Sequence, residues 1–283
     1  MDDAALLSIA VNRPRLVASD LDGTLLRSDG TVSAHTAAVW AALARQGIET
    51  VLVTARPPRW LHDLEQVVGP RGVALCGNGA FVYEVATRRL LESHCFEPQT
   101  LLELIADLRS AIPGATFAAE RVDGPFVEPD FPDPHADSKP AGLVVGSGAA
   151  IVDKPVGKLL ALAPELPTEA FLAQVELVLA GRALLAYSGA HGLAEINPPG
   201  VAKDAALRRW CAELGIDAAQ VWAFGDMPND LPMLRWAGVG HAVANAHPSV
   251  LEVADVVCPS NDDDGVAVAL EPLCDSHHTP EIS

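Results

Sequence analysis

Basic residues are scarce in this sequence, and lysine is the scarcest of them. The chain of 283 residues carries 37 acidic residues against 19 lysines and arginines, a formal net charge of −18. Nucleic acids and anionic membrane surfaces repel so acidic a chain, and we expect neither as a partner. Lysine occurs only at Lys139, Lys154, Lys158 and Lys203. Any lysine that the chemistry requires is therefore one of these four.

Closely spaced cysteines and long apolar runs are also missing. The chain has five cysteines, an odd number without Cys-x-x-Cys spacing, which argues against a disulfide framework and a zinc site. No uninterrupted apolar run approaches the roughly 18 residues that a membrane-spanning helix needs. The apolar stretch at 4–11 is too short for a signal peptide and follows acidic residues. We therefore expect a cytoplasmic protein, whose oligomeric state the sequence does not indicate.

The order of apolar segments predicts an α/β fold. Hydrophobic residues make up 49% of the chain, a composition typical of a globular protein. Short apolar runs at Leu16–Ser19 and Glu49–Val53 read as strands, with a helix between them that Ser33 caps. The same alternation of strands and helices returns after Lys203. This pattern predicts a Rossmann-like parallel sheet with helices on both faces.

The middle of the chain breaks this alternation. Residues 121–140 hold five prolines and cannot be regular throughout. Helical patterns and short strand candidates lie on either side of them. We predict an inserted α+β domain at 86–188, with 1–85 and 189–283 forming the first domain. The proline-rich segment is a candidate for selecting the substrate.

Two carboxylates follow the first predicted strand, in Asp20-Leu21-Asp22-Gly23-Thr24. Ligands bind at the carboxyl ends of strands in an open parallel sheet. Two acids so close resist joint ionisation unless a cation lies between them or one keeps its proton. A magnesium ion would leave Asp20 as an anionic nucleophile while Asp22 carries a proton as general acid. Taken alone, such a pair is far more commonly an Asx turn and a loop cap.

A second acidic group, Gly225-Asp226-Met227-Pro228-Asn229-Asp230, follows the predicted strand at 221–224. Asp226 can ligate a metal even if Asn229 caps the next helix. Four carboxylates at one sheet edge would repel each other without a divalent cation and a positively charged residue. Lys203, at the start of a helix, supplies that positive charge, although a lone lysine is more commonly a solvated surface group.

Two further segments offer groups that suit a phosphorylated ligand. Thr54 lies at the tip of the second predicted strand, where its hydroxyl and backbone N–H suit a phosphate oxygen. Arg56 is either a loop cation for an anionic substrate or a solvated side chain. Gly77 and Asn78 lie in Gly-Asn-Gly-Ala, which is either a plain turn or a loop that touches the substrate.

Together and in this order, the motifs around Asp20, Thr54, Lys203 and Asp226 resemble those of the haloacid dehalogenase-like (HAD) phosphohydrolases. The long insertion lies between Thr54 and Lys203, as in the Cof-type branch (class IIB), whose members carry a large α/β cap domain. Asp204 is a departure, because members commonly have a small residue after the lysine.

The resemblance implies a magnesium-dependent phosphatase for a small phosphorylated metabolite, foremost a sugar phosphate, with flavin or pyridoxal phosphates as alternatives. Asp20 would form an aspartyl-phosphate, and Asp22 would protonate the leaving oxygen and then activate water. Thr54 and Lys203 would hold the phosphoryl oxygens. Magnesium would be bound by Asp20, the Asp22 carbonyl and Asp226, with Asn229 and Asp230 in support. The remaining substrate-binding candidates are Arg56, Gly77, Asn78 and Asn229.

Two other functions share these motifs. A phosphomutase would pass the phosphoryl group from the aspartate to a sugar hydroxyl instead of water. A non-catalytic sensor of phosphorylated ligands would use the same scaffold, but a binding protein has no need of Asp22 as an acid.

Overall fold

The structure, a computed structural model, describes residues 13–68, 71–132, 142–188 and 192–274. The strands of these residues form one sheet of eight strands and one of six. In chain order the strands are β1 (Leu16–Ser19), β2 (Glu49–Val53), β3 (Val73–Cys76), β4 (Phe81–Glu84), β5 (Arg89–Ser93), β6 (Thr116–Arg121), β7 (Gly124–Val127), β8 (Val144–Val145), β9 (Val156–Leu162), β10 (Leu184–Ala186), β11 (Leu193–Asn197), β12 (Val221–Gly225), β13 (Val239–Val243) and β14 (Val256–Cys258).

The first sheet has the order β14-β13-β12-β1-β2-β3-β4-β5. Its strands are parallel from β14 to β3, and β4 and β5 continue the edge as an antiparallel hairpin. All four residues of β1 are buried, as expected for a central strand covered on both faces. Since β12, β1 and β2 are adjacent and parallel, the residues that follow them meet at one edge of the sheet.

Local signals in the sequence set the helix ends. The Ser33 hydroxyl accepts a hydrogen bond from the Thr36 N–H and begins the first helix. Gly215 ends the fourth helix in the left-handed conformation, at φ +62°. The helices are α1 (Ala34–Arg45), α2 (Pro98–Ala111), α3 (Thr168–Leu179), α4 (Lys203–Leu214), α5 (Leu231–Trp236), α6 (Pro248–Leu251) and α7 (Gly265–Leu270). None of the helices in the described ranges has the length and apolar character needed to cross a bilayer.

The second sheet has the order β10-β11-β9-β6-β7-β8 and is antiparallel except between β7 and β8. Helices α2 and α3 pack on it and on each other, and bury a hydrophobic cluster of their own that includes Leu104, Phe117, Phe171 and Ile196. The first sheet has a separate cluster around β1, β2 and β12.

The predicted α/β fold with an inserted α+β unit is confirmed, but the strands do not divide at the predicted limits of 85 and 188. Strand β5 belongs to the first sheet because it pairs with β4 as a hairpin. Strand β11 belongs to the second sheet because it pairs with β9 and β10. The second sheet therefore extends to Asn197.

Three smaller predictions need correction or fall outside the description. The sequence also predicts a helix at roughly 59–68, but the structure has tight 3-10 turns over Pro58–Val67, with a kink at Leu64. Asn229 does not cap the following helix but lies inside the turn Pro228–Asp230. Within the proline-rich segment, β7 is regular, and residues 133–140 lie outside the described residues.

Candidate active site

Four charged side chains meet at the carboxyl ends of β1 and β12. Asp20 follows β1, Asp226 and Asp230 follow β12, and Lys203 begins α4; all four are buried. The Lys203 Nζ donates to Asp20 Oδ1 at 2.6 Å and to Asp230 Oδ1 at 2.7 Å. One carboxylate oxygen from each aspartate lies within 4.8 Å of the others. The structure thus brings together these four predicted residues, which we call the aspartate–lysine cluster.

The turn after β1 holds Asp226 in place. Gly23 has φ +74°, and a Cβ there would lie 2.4 Å from Asp226 Oδ2. Only glycine allows so close an approach in this conformation. The Thr24 hydroxyl donates to Asp226 Oδ1 at 2.9 Å. Sequence reasoning missed this role of Thr24, although the residue was visible in the first motif.

Backbone groups fix Asp230 from the other side. The N–H groups of Asp226 and Met227 donate to Asp230 Oδ2 at 3.1 and 3.0 Å. A Cβ on Gly225 would lie 2.5 Å from the Asp230 Cβ, so glycine is required here as well. Asp230 is therefore a fully buried carboxylate with both oxygens engaged.

The cluster holds more negative charge than Lys203 can balance. Burial raises the pKa of Asp20 well above its usual value. Lys203 lowers this pKa, while the negative charges of Asp230 and Asp226 raise it further. Burial and Asp230 raise the pKa of Asp226 to about 6. Burial alone would lower the pKa of Lys203, but the carboxylates around it raise it above its ordinary value. A hard divalent cation binds such oxygen donors, so the residues fit Mg²⁺.

Asp22 lies outside this cluster and faces solvent. Its side chain is 57% exposed. Arg56 holds it with two parallel hydrogen bonds, from Nε to Oδ2 at 2.8 Å and from Nη2 to Oδ1 at 2.6 Å. The sequence analysis named both residues without predicting that they pair.

The loops after β2 and β3 are tied together. The Thr54 hydroxyl accepts from the Arg56 N–H at 3.0 Å, and the Thr54 carbonyl accepts from the Asn78 N–H at 2.9 Å. The Gly77 N–H donates to the Arg56 carbonyl at 2.9 Å. Asn78 is buried with φ +57°, and its Oδ1 accepts from Asn229 Nδ2 at 3.3 Å. Thr54, Gly77, Asn78 and Asn229 therefore form one connected wall beside the cluster.

A cavity of about 300 Å³ lies against Lys203. The amides of Asn78, Asn197 and Asn229 line it, and the Oδ1 atoms of Asn197 and Asn229 are buried without a hydrogen-bond partner among the described residues. Sequence reasoning missed Asn197, because the sequence alone did not place β11 in the second sheet. The rest of the lining is mostly apolar and includes Leu184, Leu185, Ala186, Tyr187, Pro228 and Pro232.

Sequence reasoning also missed a buried ion pair between Lys158 on β9 and Glu195 on β11. The scarcity of lysine was the one available signal for Lys158. Neither residue follows a strand tip of the first sheet, where the other candidates were sought.

Similarity to known proteins agrees with the site. A phosphatase of Bacillus subtilis named for 5-amino-6-(5-phospho-D-ribitylamino)uracil is 27% identical, over 90% of this chain and 96% of its own. A pyridoxal phosphate phosphatase of Escherichia coli is 28% identical, over 89% of this chain and 96% of its own. A solved HAD subclass IIB sugar phosphatase shares the fold at a TM-score of 0.75 and 19% identity, over 91% of this chain and 98% of its own.

These findings confirm the predicted family, branch and enzyme class, a phosphoric monoester hydrolase. The family model described as haloacid dehalogenase-like hydrolase matches residues 17–270, nearly the whole described chain. The chain belongs to the haloacid dehalogenase-like hydrolases.

Proposed function

We propose that the protein is a magnesium-dependent phosphatase that acts on a small phosphorylated metabolite through an aspartyl-phosphate. The observation that carries this proposal is the buried cluster of Asp20, Asp226 and Asp230 around Lys203. A buried nucleophilic carboxylate, a buried lysine and further oxygen donors are the groups that phosphoryl transfer requires.

The residues divide the reaction into two displacements. Asp20 attacks phosphorus while the bond to the leaving oxygen breaks, and Asp22 gives that oxygen a proton. Asp22 then takes a proton from water, whose oxygen bonds to phosphorus as the Asp20–phosphorus bond breaks. Lys203 and Thr54 hold the phosphoryl oxygens in both steps. Asp20, Asp226 and the Asp22 carbonyl would hold Mg²⁺, with Asp230 and Asn229 in support, and the ion would supply charge neutralisation.

Arg56 has two partners to choose between in this mechanism. Without substrate, its guanidinium forms two hydrogen bonds with the Asp22 carboxylate. A phosphate monoester offers the same planar fork a second pair of acceptor oxygens. A substrate phosphate would therefore compete with Asp22 for the guanidinium. Substrate binding by Arg56 would release Asp22, the proposed general acid, from its hydrogen bonds with Arg56.

The cavity beside Lys203 supports a sugar phosphate as the substrate. Two buried amide oxygens without partners, on Asn197 and Asn229, are acceptors that the hydroxyl groups of a sugar would satisfy. Among the described lining residues, Lys203 carries the one positive charge, which favours a leaving group without a second phosphate. Pyridoxal phosphate and a ribityl phosphate are the other candidate substrates, since relatives are named for such compounds.

We also propose that the unit built around the second sheet selects the substrate. Strand β10 and Asn197 of that sheet line the same cavity as Lys203 and Asn229 of the first unit. A leaving group in this cavity would contact both units. Closure of the second unit over the sheet edge would exclude water from the phosphoryl group.

Phosphate release from a panel of phosphorylated metabolites, with and without Mg²⁺, tests the proposal. We expect Mg²⁺-dependent release from the sugar phosphates and its loss in Asp20→Asn, which retains the size of the side chain but not the nucleophile. Transfer of phosphate to a second sugar hydroxyl without net release would favour a phosphomutase. Tight binding of a phosphorylated compound by wild-type protein without turnover would favour a sensor.

A further inference from the structure

A buried ion pair lies outside the aspartate–lysine cluster, on the second sheet. Lys158 on β9 and Glu195 on the neighbouring β11 are 3% and 4% exposed. Their Nζ and Oε2 atoms are 2.6 Å apart. Removing two charges from water costs several kcal/mol for each ion, which an ion pair alone commonly does not repay. A role beyond stability would account for the pair.

Both members of the pair reach across to loops of the first sheet. The Lys158 Nζ also donates to the carbonyl of Ala55 at 2.7 Å, directly after the phosphate-site candidate Thr54. The Glu195 Oε2 also accepts from Asn78 Nδ2 at 3.1 Å. The pair therefore connects the second sheet to the two loops that form the wall of the candidate site.

Glu195 also dictates which way the Asn78 amide points. Burial alone would raise the pKa of Glu195, but Lys158 lowers it below its usual value, so the carboxylate stays ionised. An ionised carboxylate only accepts hydrogen bonds, and Asn78 must turn its NH₂ group toward it. The Asn78 Oδ1 is then left facing Asn229, whose Nδ2 it accepts at 3.3 Å.

We propose that Lys158 and Glu195 are positioning residues of the phosphatase reaction, which orient the Asn78 amide and the Thr54–Ala55 loop. The proposal rests on the proposed function, because it assigns these loops to the phosphoryl group. The second sheet would then orient the Asn78 amide and the loop that carries Thr54, in addition to selecting the leaving group.

Glu195→Gln is the decisive variant. A glutamine keeps the size of the side chain but both donates and accepts, so the Asn78 amide is free to turn over and present its NH₂ group to Asn229. With p-nitrophenyl phosphate and Mg²⁺, we expect kcat to fall about 10- to 100-fold and KM to stay within about threefold. Affinity for orthovanadate, which imitates the five-coordinate phosphorus, should fall in step with kcat.

A matched control separates positioning from loosened contact between the two units. Arg59, in the Pro58–Val67 turns, forms an ion pair with Glu120 on β6, which also links the two units. Glu120 lies opposite Lys158 in the register of β6 and β9, but its carboxylate accepts its hydrogen bonds from Arg59. Glu120→Gln leaves in place the hydrogen bonds by which Lys158 and Glu195 hold the two site loops, so kcat and vanadate affinity should stay within about twofold of wild type.

Glu195→Gln leaves the buried charge of Lys158 without its partner and could prevent folding. The double variant Lys158→Met, Glu195→Gln keeps the test decisive in that case, because it leaves no unpaired buried charge. We expect its kcat to match that of Glu195→Gln, since the two residues act as one unit. Wild-type kcat in Glu195→Gln or in the double variant would overturn the proposal, as would equal losses in Glu195→Gln and Glu120→Gln. If wild type hydrolyses nothing, the proposed function fails and the positioning role fails with it; if wild type is active and Glu195→Gln equals it in kcat and vanadate affinity, only the positioning role fails.

Discussion

Gly23 and Gly225 each bring the backbone against an aspartate of the aspartate–lysine cluster. A side chain at either position would enter the space of Asp226 or Asp230. Both glycines lie in the motifs that the sequence analysis named, but the reason for them is tertiary. The carboxylate that Gly23 accommodates comes from the opposite end of the chain.

Gly23→Ala should abolish most of the activity with little loss of fold. The new methyl group would displace Asp226 Oδ2, which is 2.4 Å from the Cβ position, and we expect kcat to fall at least tenfold. Gly30→Ala is the control, because φ is +79° there and nothing lies within 4 Å of the Cβ position. Both variants carry about 1 kcal/mol of backbone strain. Equal kcat values would show that the close approach to Asp226 has no role.

His241 should make the protein acid-sensitive independently of the active site. The imidazole is stacked on Phe224 with ring centroids 4.3 Å apart, and burial lowers its pKa from 6.5 to about 4. Between pH 6.5 and pH 4 the histidine binds a proton more readily in the unfolded chain than in the folded protein. The contribution of His241 to stability is therefore complete above pH 6.5 and is lost as the pH falls toward 4.

Urea unfolding at pH 8 and pH 5 measures this contribution. The free energy of unfolding should fall by about 2 kcal/mol more in wild type than in His241→Phe, which cannot titrate. The same loss in both proteins would assign the acid sensitivity to other groups.

At the level of helices and strands, the sequence predicted those element ends that neighbouring residues determine. Strand β1 matches its predicted range Leu16–Ser19, and α1 begins directly after its predicted cap Ser33, because an apolar run and a capping side chain are local signals. The hairpin β4–β5 and the membership of β11 could not be predicted. Pairing between distant strands carries little local signal, and β11 is joined to its sheet only by contacts with β9 and β10.

The contact between β9 and β4 offers a test at this scale. Gly157 on β9 lies against the ring of Phe81, and a Cβ there would be 2.4 Å from the ring. Gly157→Ala should lower the free energy of unfolding by about 1–3 kcal/mol, as overpacking does in other cores. The smaller side chain of Phe81→Leu should restore part of this loss in the double variant. If the two effects simply add in urea unfolding, the two positions are not in contact.

At the scale of the whole molecule, the structure brings together four residues that the sequence analysis named at distant positions. Asp20, Lys203, Asp226 and Asp230 were named from predicted strand tips and from the resemblance of their motifs to one family, and they meet in one cluster. The pairing of Asp22 with Arg56 and the contacts of Lys158 were not predictable. These depend on side-chain directions in loops and on a sheet whose register is set over long distances.

Mg²⁺ should raise the free energy of unfolding by more than a salt that only screens the charges of the protein. At about ten times its Kd, Mg²⁺ should add about 1.4 kcal/mol to the free energy of unfolding. Sodium chloride at equal ionic strength provides the control, since a chain of net charge −18 is stabilised by screening alone. Asp226→Asn should lose the difference between the two salts. An equal response to both salts in wild type would argue against a cation site.

The order of strands in the first sheet has a consequence for synthesis on the ribosome. Asp20 and its partner Lys203 are 183 positions apart, and β1 pairs with β12. All strands of the second sheet, by contrast, lie within residues 116–197. The growing chain therefore completes the second sheet first, while β1 keeps one edge unpaired until β12 has been made. At that stage the nascent chain leaves one edge of a buried, apolar strand open to pairing with other chains, which is a risk of aggregation that the finished sheet removes.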